Sequence, residues 1–132
     1  MSSTGILAAL AITALSIPLF QGNAKQESMD RGKEIYAQLC IVCHQADGKG
    51  LEGAFPPLAN SDYLLKTPDK AIHAVKYGLQ GPIKVNGKDY NSIMTNQNLS
   101  DQEIADVLNY VMNSWENSHE IITVDRVKKV VE

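Results

Sequence analysis

Apolar side chains recur three and four residues apart in two long stretches of this chain, separated by segments rich in glycine and proline. Toward the C-terminus, Ile104, Val107, Leu108, Val111, Met112 and Trp115 share one helical face over about four turns. Ser100-Asp101-Gln102-Glu103 precedes them as a capping box, in which serine and glutamate satisfy each other's backbone amides. Nearer the N-terminus, Gly32, Ile35, Tyr36 and Leu39 fall at i, i+3, i+4 and i+7, with Ser28 or Asp30 as the cap. Glycine inside a helix costs about 1 kcal/mol relative to alanine. Gly32 on the apolar face therefore predicts close approach by another backbone.

Shorter elements lie between these two. A helix is expected from Ser61 to Lys66, and another with Thr67 as cap and Pro68 at its first position. The second buries Ala71, Ile72 and Val75 and stops at Gly78. Gln45 to Gly53 is glycine-rich loop, and Phe55-Pro56-Pro57-Leu58-Ala59 cannot be helix, because proline restrains its predecessor as well as itself. Gly81 to Asn91 reads as irregular, with a tight turn at Asn86-Gly87 between Val85 and Lys88. From Glu120 onward, a short helix capped by Thr123 and running through Val124, Val127 and Val130-Val131 is preferred to an extended Ile121–Val124.

The first residues follow neither pattern. From Gly5 to Phe20 the chain is apolar except for Thr13, Ser16 and Pro18, and no charge precedes Lys25. With a small-x-small site at Gly22-Asn23-Ala24, residues 1–24 read as an export signal, although residues 1–4 carry no basic side chain. A retained anchor is the alternative; the run is shorter than the roughly 20 apolar residues of a spanning helix. Either reading puts the remainder outside the cytoplasm. Residues 25–132 then form one small domain with a short tail from about 117. All 12 basic and 15 acidic side chains lie in that part, and a net charge of −3 argues against nucleic acid as a partner.

The chemistry is concentrated in Cys40-Ile41-Val42-Cys43-His44. C-x-x-C-H is the attachment site of a c-type haem: two thiols one helical turn apart reach the two vinyl groups of one porphyrin, and the histidine gives the iron a proximal nitrogen. These are the chain's only 2 cysteines, so no thiol remains for a framework disulfide. A thioredoxin-like pair wants a strand–helix–strand context, which is missing here. Structural zinc wants four ligands, and only His73 and His119 remain to complete a set.

A sixth ligand separates an electron carrier from a protein that binds small molecules at iron. The candidates are Met29, Met94, Met112, His73 and His119. Met112 belongs to the apolar stripe, Met29 to the approach to the haem motif and His73 to a helix, while His119 sits in a polar stretch. Met94 is an isolated apolar side chain in an irregular segment beside Thr95-Asn96-Gln97-Asn98, where a flexible loop can cross the distal face of the ring. His44/Met94 ligation predicts reversible one-electron transfer at a comparatively high potential, because a thioether favours ferrous iron. The alternative is a haem-based small-ligand sensor or peroxidase-like enzyme with an open sixth position; no distal histidine or arginine is evident for it.

Assembled, these residues resemble a class I c-type cytochrome over about residues 28–118. In that family a glycine and an aromatic residue on the first helix cross a Leu-x-x-Tyr-like pair on the last. Gly32 and Tyr36 stand where the first two are expected, and Val107 and Tyr110 match the second pair, with valine for leucine. The resemblance implies an all-α cytochrome c fold, with about three to five helices around one covalent haem c and crossed terminal helices. It also implies a proline carbonyl that accepts the proximal histidine's Nδ1–H; Pro56 is the better match, with Pro57 as the alternative. Gly53-Ala54-Phe55-Pro56-Pro57-Leu58-Ala59, Leu99-Ser100-Asp101 and Asn113-Ser114-Trp115 are similar to small domains attached to quinoprotein alcohol dehydrogenases and copper nitrite reductases. Many of these have Met-Pro at the distal ligand, where Thr95 follows Met94 here. The implied role is a periplasmic electron carrier or the electron-transfer subunit of a redox complex, not an enzyme. Its partners would be a dehydrogenase, reductase or terminal oxidase. Lys49, Lys84 and Lys88 are candidates for docking an acidic partner, weighed against ordinary solvated lysines.

Overall fold

A computed structural model describes residues 19–132. Most of the segment read as an export signal, residues 1–24, lies outside them. Among the described residues, no helix is long and apolar enough to cross a membrane.

The first helix, α1 (Leu19–Ile35), continues through one π-helical turn (Tyr36–Cys40) into α2 (Ile41–His44). Helix α5 (Asp101–Val111) crosses α1, and the crossing explains Gly32. A Cβ there would overlap the carbonyl of Asp106 and come within 2.9 Å of the Tyr110 Cβ, so only glycine admits this approach. One turn on, Tyr36 is buried, its ring centroid 5.4 Å from that of Tyr110 and 5.2 Å from that of Trp115. Such tilted aromatic pairs contribute about 0.5–1.5 kcal/mol beyond their buried area.

Ser28 is no cap. It lies inside α1, its hydroxyl donates to Asp106 Oδ1 at 2.6 Å, and it accepts from Asn109 Nδ2 at 2.9 Å. Arg31 adds Nε to Asp106 Oδ2 at 2.7 Å, so the buried carboxylate is paired and fully bonded. Leu39 also departs from the expected face and is 42% exposed. The π turn that contains it adds a residue to the local repeat and rotates the stripe away from the core.

Helix α3 (Asp62–Lys66) is capped by Ser61, whose hydroxyl accepts from the Leu64 amide at 3.2 Å. Helix α4 (Pro68–Tyr77) follows with proline in its first turn and buries Ala71, Ile72 and Ala74, with Val75 half-buried. The region read as irregular contains an antiparallel hairpin, β1 (Ile83–Val85) with β2 (Lys88–Tyr90), pairing Ile83 with Tyr90 and Val85 with Lys88. Its turn is the expected Asn86-Gly87, with φ 50° and 80°, the pair of positive values a type I′ hairpin turn requires.

The capping box at Ser100 and Glu103 opens α5. The apolar stripe outlasts this helix: α5 ends at Val111, and Trp115, expected as its last turn, has φ 51° in the turn beyond. Thr123 caps α6 (Val124–Lys129) through the Arg126 amide, and Val127 is fully buried. The tail is part of the core. Ile122 is 1% exposed, and its backbone is gripped on both sides by Asn109, Nδ2 to Ile122 O at 3.0 Å and Ile122 N to Oδ1 at 2.6 Å.

Candidate haem-binding site

The rod from α1 to α2 ends in the C-x-x-C-H motif, and both thiols are half-buried and unpaired. Burial, with a smaller contribution from Cys43, pushes the Cys40 thiol up to about 11. It is therefore protonated at neutral pH. His44 is the last residue of α2, after which Gln45, with φ 66°, turns the chain into a loop.

That loop folds back on itself. The amides of Leu58 and Ala59 donate to the Gly48 carbonyl at 2.7 and 2.9 Å, and Leu51 bridges Phe55. The fold-back brings the Pro56 carbonyl 3.0 Å from His44 Nδ1. A carbonyl only accepts, so Nδ1 carries the proton and Nε2 keeps its lone pair. Burial lowers the imidazole's pKa, opposed by the Pro56 bond, so the ring is neutral and a competent metal ligand.

Beside His44 lies a cleft of about 740 Å3, part of it open to solvent. Leu64, Ala71 and Val75 from α3 and α4 face Val107, Leu108 and Val111 from α5 across it. A second hollow of about 450 Å3 shares His44, Pro56, Leu79, Ile83 and Met94 and adds Cys43 and Phe55. Cys40 lines the first and Cys43 the second. The donor set fits a c-type haem: a neutral imidazole with a free Nε2 and a thioether line both hollows, and one thiol lines each.

Met94 reaches this cleft on a pinned backbone. Its carbonyl accepts from the Leu79 amide at 2.8 Å, and its amide donates back to Leu79 at 2.9 Å. The segment read as a flexible loop is thus fixed at the one residue that matters. Gly78 makes the bridge possible: with φ 90° and ψ 175° it occupies a region essentially reserved for glycine, and a Cβ would stand 2.8 Å from the Met94 carbonyl. Of the five candidate sixth ligands, Met94 alone lines the cleft. Met112 is fully buried in the core, His73 stacks on Tyr77 at 5.1 Å, and His119 Nδ1 is 2.7 Å from the Glu120 carbonyl.

The three lysines considered for docking are each beside a carboxylate: Lys84 with Asp89 at 2.6 Å, Lys88 with Glu52, and Lys49 with Asp47 at 3.9 Å. Exposed pairs of this kind contribute about 0–1 kcal/mol, but they leave little unbalanced positive field at this face. Two residues that bind the site together escaped the sequence reading. Trp115 Nε1 donates to the Ala46 carbonyl at 3.1 Å, and Asn117 Nδ2 donates to the Leu58 carbonyl at 2.9 Å. Trp115 continues the helical stripe in spacing, and no local signal marks Asn117, whose loop partners Leu58 and Asn60 lie more than fifty residues away in the chain.

Comparison with known proteins shows the family. The family model described as Cytochrome c matches residues 29–115. Cytochrome c-552 of Thermus thermophilus is 41% identical over 109 residues, covering 75% of this chain and 82% of that protein. The cytochrome c subunit of the quinone alcohol dehydrogenase of Gluconobacter oxydans is 34% identical over 100 residues, 74% of this chain but 20% of that subunit. The fructose dehydrogenase cytochrome subunit of Gluconobacter japonicus is 30% identical over 106 residues, again a fraction, 21%, of the larger protein. The chain belongs to the cytochrome c family, whose members carry covalently attached haem c and transfer electrons.

Proposed function

We propose that Cys40 and Cys43 hold the haem through two thioether bonds, that His44 and Met94 ligate its iron, and that Pro56 orients His44. One observation carries this reading: a neutral imidazole with its Nε2 lone pair free and a backbone-pinned thioether line one apolar cleft. When bound, the haem supplies reversible one-electron exchange. The protein's contribution is to attach it, exclude water from it and set its potential, which a His/Met pair places comparatively high. No side chain makes or breaks a bond in that process, so the protein is a carrier and not an enzyme.

The motif needs haem attachment outside the cytoplasm, and the apolar N-terminal run supplies an export signal or anchor, which together favour a periplasmic location. Relatives named as subunits of alcohol and fructose dehydrogenases support a dehydrogenase as one redox partner. Docking is brief and of small area, as carriers require, and the paired lysines make it weakly dependent on salt.

Met94→Ala tests the ligand set. The variant is expected to keep its haem, lose the methionine–ferric charge-transfer band in the far red, and show a lower reduction potential. A variant with the wild-type spectrum and potential would refute the assignment of Met94.

A further inference from the structure

We infer that Asn117 is a positioning residue for the proximal histidine, acting through the loop that presents the Pro56 carbonyl. The inference rests on the reading of His44 as an iron ligand. Asn117 lies beyond the residues the family model matches, 29–115, and carries no chemistry of its own toward the cleft.

Pro56 and Pro57 have no N–H, so neither can be tethered through an amide of its own. The place of the Pro56 carbonyl is therefore set by what holds its flanks. Upstream, the Leu51–Phe55 bridge holds it. Downstream, the Leu58 and Ala59 amides hold to Gly48 O, and Asn117 adds two grips from outside the loop: Nδ2 donates to Leu58 O at 2.9 Å, and Oδ1 accepts from Asn60 N at 2.8 Å. The same Nδ2 donates to Val111 O at 2.8 Å, which fastens the loop to the last carbonyls of α5. Asn117 is 6% exposed, so water does not substitute for these bonds without reorganisation.

The turn that delivers Asn117 is itself unusual. Trp115 and Glu116 are consecutive non-glycine residues with φ 51° and 71°, a backbone that side chains disfavour. That conformation places the Trp115 indole on Ala46, at the start of the loop, while Asn117 holds its end. The turn thus buckles both ends of the segment between His44 and Asn60. Loosening the downstream end lets the Pro56 carbonyl drift from Nδ1. A weaker Nδ1–H bond makes the imidazole less basic, stabilises ferric iron less and raises the potential.

The test uses the intact holoprotein. In Asn117→Ala, the ratio of reduced to oxidised protein at a fixed ambient potential is expected to rise by up to about tenfold, which for one electron is about 59 mV. Solvent exchange of the His44 Nδ1 proton, followed by NMR, should quicken in parallel. Asn117→Asp keeps the acceptor for Asn60 and loses the donor to Leu58, so it reads the same contrast should the alanine variant fail to load haem. Asn109→Ala is the control: it breaks a comparably buried grip on Ile122 and is expected to lower the melting temperature with neither readout moved. Wild-type potential and exchange in both Asn117 variants, or equal shifts in Asn109→Ala, would overturn the inference. A native holoprotein lacking any iron-shifted, protected Nδ1 proton at His44 would remove the ligation reading, and this role with it.

Discussion

The proximal and distal sides of the cleft are built differently. His44 leaves a helix and enters a loop held at Gly48, at Leu51–Phe55, and from outside by Trp115 and Asn117. Met94 sits in a segment from Asn91 to Leu99 whose backbone bonds to the rest of the described residues run only through Leu79. Its other tie is a side-chain one, from Ser92 Oγ to the Ala54 carbonyl at 2.5 Å, while Gln97 donates to Thr95 and the Asn98 amide to Asn96 Oδ1. On the proposed ligation, one ligand is over-determined and the other pinned once. The proximal side fixes the strength of a bond, whereas the distal side only has to keep a weak ligand within reach.

The largest way to break that contrast is to remove what both sides enclose. Cys40→Ala combined with Cys43→Ala abolishes attachment, and the cleft loses the apolar body that fills it. The expected product is a largely unfolded chain, read by far-ultraviolet circular dichroism and NMR dispersion. A well-folded apo form with both thiols absent would contradict the view that the haem completes the core.

A smaller effect, confined to the distal side, is expected from Gly78→Ala. The substitution forces a Cβ against the Met94 carbonyl in a backbone region that costs other residues about 1–3 kcal/mol. Since the Leu79–Met94 bridge is that segment's single backbone pin among the described residues, the reduced variant should bind carbon monoxide, which the native protein is expected to refuse. Its proximal histidine signals should stay where they are. Movement of the proximal signals instead would mean the two sides are coupled more tightly than their hydrogen bonds indicate.

The smallest effect lies at the helix crossing that carries the proximal residues. Burial pushes the Asp106 carboxyl up, but bonds from Arg31, Ser28 and Gln102 outweigh it, and its pKa lies below the usual carboxylate range. A carboxyl lowered in the folded state stabilises the fold above its unfolded pKa, about 3.9, and that stability is lost as pH falls through the folded value. Native protein should therefore lose stability in acid below about pH 4, and Asp106→Asn should flatten that dependence. Parallel acid profiles for the two, by thermal melts across pH, would count against the crossing as a pH-linked contact.

Much of this was legible in the chain itself, for reasons that differ by residue. Gly32 and Tyr36 could be read because a costly glycine on an apolar helical face has few explanations, and the crossing supplied the one expected. The capping box and Asn86-Gly87 are local chemistry, complete within four residues. Leu39 could not be placed, because a π turn inserts a residue without any mark in the apolar pattern. Trp115 continued the stripe of α5 in spacing yet sits past its end, where the left-handed turn that releases it depends on partners at Ala46 and Leu58. Ser28 reads as a cap by type and proves to be a buried donor to a carboxylate 78 residues away. The attachment chemistry was local, in five consecutive residues; what holds it in position was not.

Carbon monoxide added to the reduced native holoprotein at neutral pH, with the Soret region monitored, addresses the central claim most directly. With His44 and Met94 both on the iron, the spectrum should not change. Full conversion to a carbon monoxide adduct would mean the sixth position is open and that the protein is built to bind ligands, not to pass electrons.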